Sequence, residues 1–138
     1  MNWKQIFTLS LSGLIMGTLS LFGLTRGIEP ILWLLIALSC AWWLAKTTPS
    51  RVFLHGLFTG VLMGVGNSVM QSLFFDSYVA SNPESAQAFQ QIPGGLSPQI
   101  FVLMAGSIVG FLYGLLLGLF ALLAAKFGKP QSAENPAA

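Results

Sequence analysis

Residues 52–75 read VFLHGLFTGVLMGVGNSVMQSLFF. The stretch holds no aspartate, glutamate, lysine or arginine. At a rise of about 1.5 Å per residue it is long enough, as a helix, to cross a hydrocarbon core of about 30 Å. At about 100° per residue, Gly56, Gly60, Gly64, Asn67 and Gln71 fall on one stripe of that helix, small at one end and amide-bearing at the other. Hydrophobic force between helices is weak in lipid, so small residues at every fourth position work by letting two backbones approach closely. The stretch therefore predicts a membrane helix whose glycine edge is covered by protein.

The composition agrees with that reading. Of 138 residues, 54% are hydrophobic and 7% charged. A soluble domain carries about 25% charged residues, so the chain falls in the membrane class. The formal charge is +2, but the basic residues sit between apolar runs and read as topology signals, so no nucleic-acid partner is expected. Cys40 is the single cysteine, which leaves no internal disulfide to form.

Working outward, four spans are predicted at about 6–24, 31–45, 52–75 and 100–125, in one membrane domain over 1–127 with a disordered tail over 128–138. Pro30, Thr48-Pro49 and Ser97-Pro98 mark helix starts, because proline suits the first helical position and Ser or Thr the cap before it. Asp76 to Ser81 is expected to continue the third helix into water. Asn82-Pro83-Glu84 then caps and opens a short extramembrane helix, which Ile92-Pro93-Gly94-Gly95 ends. The second span has no glycine and carries Trp33, Leu34 and Trp42, which suits a lipid-facing or partner-facing helix.

Lys4, Lys46, Arg51, Lys126 and Lys129 lie on one side of a four-span path, and Arg26, Glu29, Asp76 and Glu84 on the other. Basic flanks are retained in the cytoplasm. The expected fold is thus an all-α, integral membrane four-helix bundle with both termini cytoplasmic and the 76–99 loop external, in a bacterial inner membrane.

Gly13 and Gly17 share a face of the first span, and the last span repeats glycine at Gly106, Gly110, Gly114 and Gly118. With Gly56, Gly60 and Gly64, these read as helix-packing positions rather than a pore lining. If the spans are centred on the bilayer, Ser20, Asn67, Gln71 and Ser107 come to similar depths on the external side of the midplane. They form either an interhelical hydrogen-bonded cluster, at about 0.6 kcal/mol per bond, or a small polar pocket opening outward under the 76–99 loop.

Little in the chain suggests chemistry. His55 is the only histidine and reads as an interfacial residue; no second histidine or nearby cysteine completes a metal site, and no carboxylate lies at helical spacing from it. No catalytic residue, metal or cofactor is expected, and no ionisable group sits near a span's midplane as a proton-coupled transporter would require. From Gly56 to Lys129 the chain resembles a loose class of small uncharacterised four-span bacterial membrane proteins. It shares with them the polar end of the third helix, the Asn82-Pro83-Glu84 loop and a glycine-rich last helix ending in lysine. The resemblance implies a fold and no activity. The expected role is a non-enzymatic structural or accessory membrane component, with the bilayer and a homo-oligomer or larger membrane complex as partners. The alternative is a small channel or facilitator for a neutral or weakly charged solute, lined by Asn67, Gln71 and Ser107.

Overall fold

The computed structural model describes residues 1–128; the expected tail beyond Gly128, with Lys129, lies outside the described residues. Of the described residues, 83% are helical and none is in a strand. Four long helices, α1 (Trp3–Leu21), α2 (Glu29–Thr47), α3 (Val52–Leu73) and α6 (Pro98–Phe127), are joined by tight turns and by two short helices, α4 (Phe75–Ser81) and α5 (Pro83–Phe89). Three of them, α2, α3 and α6, are long and apolar enough to cross a membrane.

The main contacts of the long helices run α1 to α3, α3 to α6 and α6 to α2, and α2 meets its sequence neighbour α1 chiefly at the end where Gln5 bonds Thr47 and Thr48. Beside an apolar core, many small polar side chains are buried and many large apolar ones face outward. Ser10, Ser20, Thr59, Ser68 and Gln71 are buried, whereas Phe7, Leu11, Ile15, Leu35, Ile108, Phe111 and Leu112 are exposed. An outer surface so continuously apolar requires an apolar solvent. Helix α1 is the most polar of the four, yet its hydroxyls are satisfied locally: Thr8, Ser10, Ser12 and Thr18 each donate to a carbonyl of the preceding turn.

The central contact is the antiparallel α3–α6 seam. A methyl added at Gly56 would stand 2.6 Å from Gly118 Cα, one at Gly60 2.6 Å from Gly114 N, and one at Gly64 2.8 Å from Gly110 N. Each step of four up one helix meets a step of four down the other, and the seam continues as Ser68 against Gly106. Only glycine permits this approach, because any Cβ would displace backbone rather than a flexible side chain. On the other side of α3, Gly13 lies against Met63 and Gly17 against Asn67, the parallel register of two helices running in the same direction. Helix α2 packs on α6 through Cys40, Ala41 and Leu44, in a cluster with Met63, Leu117 and Ala121.

Three local expectations are corrected. Thr48 does not cap α3. It closes α2 through its own N–H to Leu44 O (2.9 Å), in the extended conformation (φ −107°, ψ 111°) that a residue before proline favours. The N-cap of α3 is instead Arg51, held at φ +54°. The third helix does not run on through Ser81: it breaks at Phe74 (φ −113°, ψ 42°), and α4 folds back over the end of α1. Asn82 does not cap α5 with its side chain. Its amide donates to Ser20 O and Tyr78 O, both at 2.9 Å, tying α4 to the end of α1 at the point where Gly23 (φ +67°) lets the chain pass Ser81.

Candidate functional site

At the end where the chain begins, the polar residues are mutually satisfied. Asn2 accepts from Gln5 N–H through Oδ1 (3.2 Å) and donates its own N–H to His55 Nε2 (2.9 Å). Since Nε2 must accept there, the imidazole proton is on Nδ1, which donates to Arg51 O (3.0 Å). His55 is therefore buried and ties the chain's start to the α2–α3 turn, at the same end as Arg51. Gln5 bridges to Thr47 and Thr48 at the end of α2.

The opposite end is built differently. All the buried residues of α2 lie in its second half, from Ala37 to Leu44. Its first turns stand off from α3, and the gap forms a cavity of about 440 Å³. The floor is the α3–α6 seam at Gly64, Gly106 and Gly110; one wall is Asn67 and Gln71 of α3, and the other is Glu29 and Trp33 of α2. Tyr78 of α4 and Phe89 of α5 form the roof, with Phe101 and Tyr113 of α6 beneath them. Trp33 and Tyr113 meet edge to face at 5.0 Å, and Tyr113 Oη donates to Trp33 O at 2.8 Å, which fixes α2 on α6 at this level. Phe89 stacks on Phe75, Tyr78 and Phe101 at 5.1, 6.4 and 6.3 Å, so the roof is held by aromatic contact.

The four polar residues singled out by depth are divided. Gln71 Nε2 reaches Ser20 Oγ at 3.5 Å, the limit of a hydrogen bond, between two buried side chains. Asn67 lines the cavity, and its Oδ1 is buried with no partner among the described residues. Ser107 is not part of the group. It is exposed on the outer face of α6 and bonds to Leu103 O (2.8 Å), because the inward stripe runs through Gly106 and Gly110, and one residue further turns the side chain away by about 100°.

Of the glycines, Gly56, Gly60, Gly64, Gly110, Gly114 and Gly118 are buried in the seam, Gly106 partly so, and Gly13 and Gly17 are buried on α1. Sequence reasoning missed Ser68, although it is the next step of four after Gly64. It also missed the cavity's aromatic residues and Glu29, which come from α2, α4, α5 and α6 and share no local pattern.

No group of three or more histidine, cysteine, aspartate or glutamate side chains suited to a metal ion occurs among the described residues. The arrangement is thus a preformed, mainly apolar recess with five aromatic side chains, two amides and one carboxylate, sized within the range of small-molecule sites, about 300–1,000 Å³. No family model, curated protein or solved structure matches the chain.

Proposed function

We propose that the chain is a four-span integral membrane protein without enzymatic activity that binds a small solute in the cavity between α2, α3 and α6. The recess beside Asn67, whose buried Oδ1 has no partner among the described residues, carries this reading. A purely structural component gains nothing from an unmatched buried acceptor, which costs about 1–3 kcal/mol. Met63, Leu117 and the glycine seam close the inner end. The site therefore behaves as an outward-facing receptor, and a facilitator cycle would require α2 to move against α3.

We further infer that α1 is the fourth span, since it lies along α3 with its hydroxyls internally bonded. Lys4, Lys46, Arg51 and Lys126 then mark the cytoplasmic end, where Trp42 lies 3.8 Å beneath Lys46 Nζ as an interfacial anchor. In a Cys40→Ala background, Ala88→Cys in intact cells should react with a membrane-impermeant maleimide; protection until lysis would reverse the topology.

Binding is read by Trp33 fluorescence in a reconstituted variant carrying Trp3→Phe, Trp42→Phe and Trp43→Phe. Benzyl alcohol should give a saturable change, and Ala105→Phe, which fills the cavity away from the seam, should weaken it at least about tenfold. Linear, unsaturable quenching in both proteins would favour the structural or accessory role instead.

A further inference from the structure

We infer that the preferred occupant of this cavity is an organic monocation, a quaternary or tertiary ammonium group carrying small apolar substituents. The inference rests on the binding role proposed above and specifies its chemistry. Five aromatic side chains, Trp33, Tyr78, Phe89, Phe101 and Tyr113, border one space together with the carboxylate of Glu29, and no lysine, arginine or histidine lines it. The faces of aromatic rings are electronegative, and a cation within about 6 Å of several of them is held by their quadrupoles without needing oxygen ligands.

The charges around the mouth reinforce that sign. The nearest basic side chain in sequence, Arg26, is paired with Glu84 at 3.4 Å, both exposed. Glu29 forms no ion pair among the described residues; its carboxylate accepts only from Trp33 Nε1, at 3.4 Å. A negative group without an ion pair among the described residues thus stands at the rim of an aromatic recess, in the first turn of α2; of the other two acids at that end, Glu84 is engaged by Arg26 and Asp76 does not line the cavity. An anion would meet Glu29 and the ring faces unfavourably. A small inorganic cation would have to exchange its water for oxygen ligands that one carboxylate and two amides do not supply. An ammonium carbon shell needs no such replacement. It buries its methyl groups against the rings while its diffuse charge faces Glu29.

The ammonium group belongs either to a free solute or to a lipid headgroup, since Val109 and Phe101, both exposed on the outer face of α6, also line the cavity. The test uses the Trp33-only protein in vesicles made wholly of phosphatidylglycerol, which offers no ammonium. It is titrated with choline and with choline's uncharged isostere, in which carbon replaces the quaternary nitrogen. Choline is expected to bind at least about tenfold more tightly than the isostere, and Glu29→Gln, with helicity unchanged by circular dichroism, should remove most of that preference. Adding phosphatidylcholine weakens apparent choline binding if the headgroup shares the site and leaves it unchanged if the occupant is a free solute; both keep the ammonium assignment.

Equal affinity for the two probes, or a preference unaltered in Glu29→Gln, overturns the cation assignment and leaves the binding role standing. The absence of any saturable response to choline, its isostere and benzyl alcohol removes both.

Discussion

Replacing Gly60 with leucine is expected to force α3 and α6 apart and to lower the stability of the fold by about 3 kcal/mol or more, at the upper end of what overpacking costs. A Cβ at this position stands 2.6 Å from Gly114 N and 3.1 Å from Tyr113 C, so the clash is with main chain and no rotamer relieves it. The register of the seam makes the damage cooperative. Gly56 and Gly64 lose their own close approach to Gly118 and Gly110 once the axes separate, and α2 loses part of its platform on α6. Unfolding by SDS titration in mixed micelles should show the loss directly.

Gly66→Ala is the internal control. Gly66 lies on the same helix, but its added methyl comes closest to the flexible Leu14 side chain, at 3.3 Å from Cδ2, with Leu14 N at an ordinary 3.7 Å, and the change gains up to about 1 kcal/mol of helix propensity. Equal destabilisation by the two substitutions would mean that the seam is not what holds the helices together.

Asn67→Leu is expected to act in opposite directions on stability and binding. Removing an acceptor that is buried without a partner should raise stability by about 1–2 kcal/mol, while the bulkier apolar side chain takes space and polarity from the cavity wall. The Trp33-detected affinity for benzyl alcohol should fall at least about tenfold. Were Asn67 instead part of a hydrogen-bonded glue between helices, the same substitution would lower stability; that outcome, measured in the same SDS titration, would remove the main support for the binding role. Natural proteins commonly keep such a cost where function needs the polar group.

Much of the architecture is legible along the chain because it depends on local periodicity. The steps of four in Gly56 to Gly64 and Gly106 to Gly118 place small edges on two helices, and Ser97-Pro98 starts α6 with Ser97 Oγ accepting from Ile100 N–H. Reading failed where two local signals competed. Thr48 serves the helix behind it rather than the one ahead, and Asn82 turns its amide toward α1 rather than capping α5, because the nearby Ser20 carbonyl offers a partner that α5's own first turn does not replace.

Ser107 illustrates a different failure. Its depth was matched to Asn67, but depth along a helix says nothing of azimuth, and its neighbour Gly106 took the inward position against Ser68. The aromatic cavity was illegible for a further reason. Trp33, Tyr78, Phe89 and Tyr113 are separated by long stretches of chain, and each alone looks like ordinary membrane or interfacial packing.

By itself the sequence determined that the chain is helical, that its spans are apolar and that three of them carry glycine edges, since composition and a period near 3.6 residues act within each segment. The tertiary structure alone decided which edges meet, that α2 packs mainly on α6 with a cavity left beside its first turns, and that Glu29 and five aromatic side chains border that cavity. Those outcomes follow from fitting side-chain volumes of several segments into one space, and no single segment contains that information.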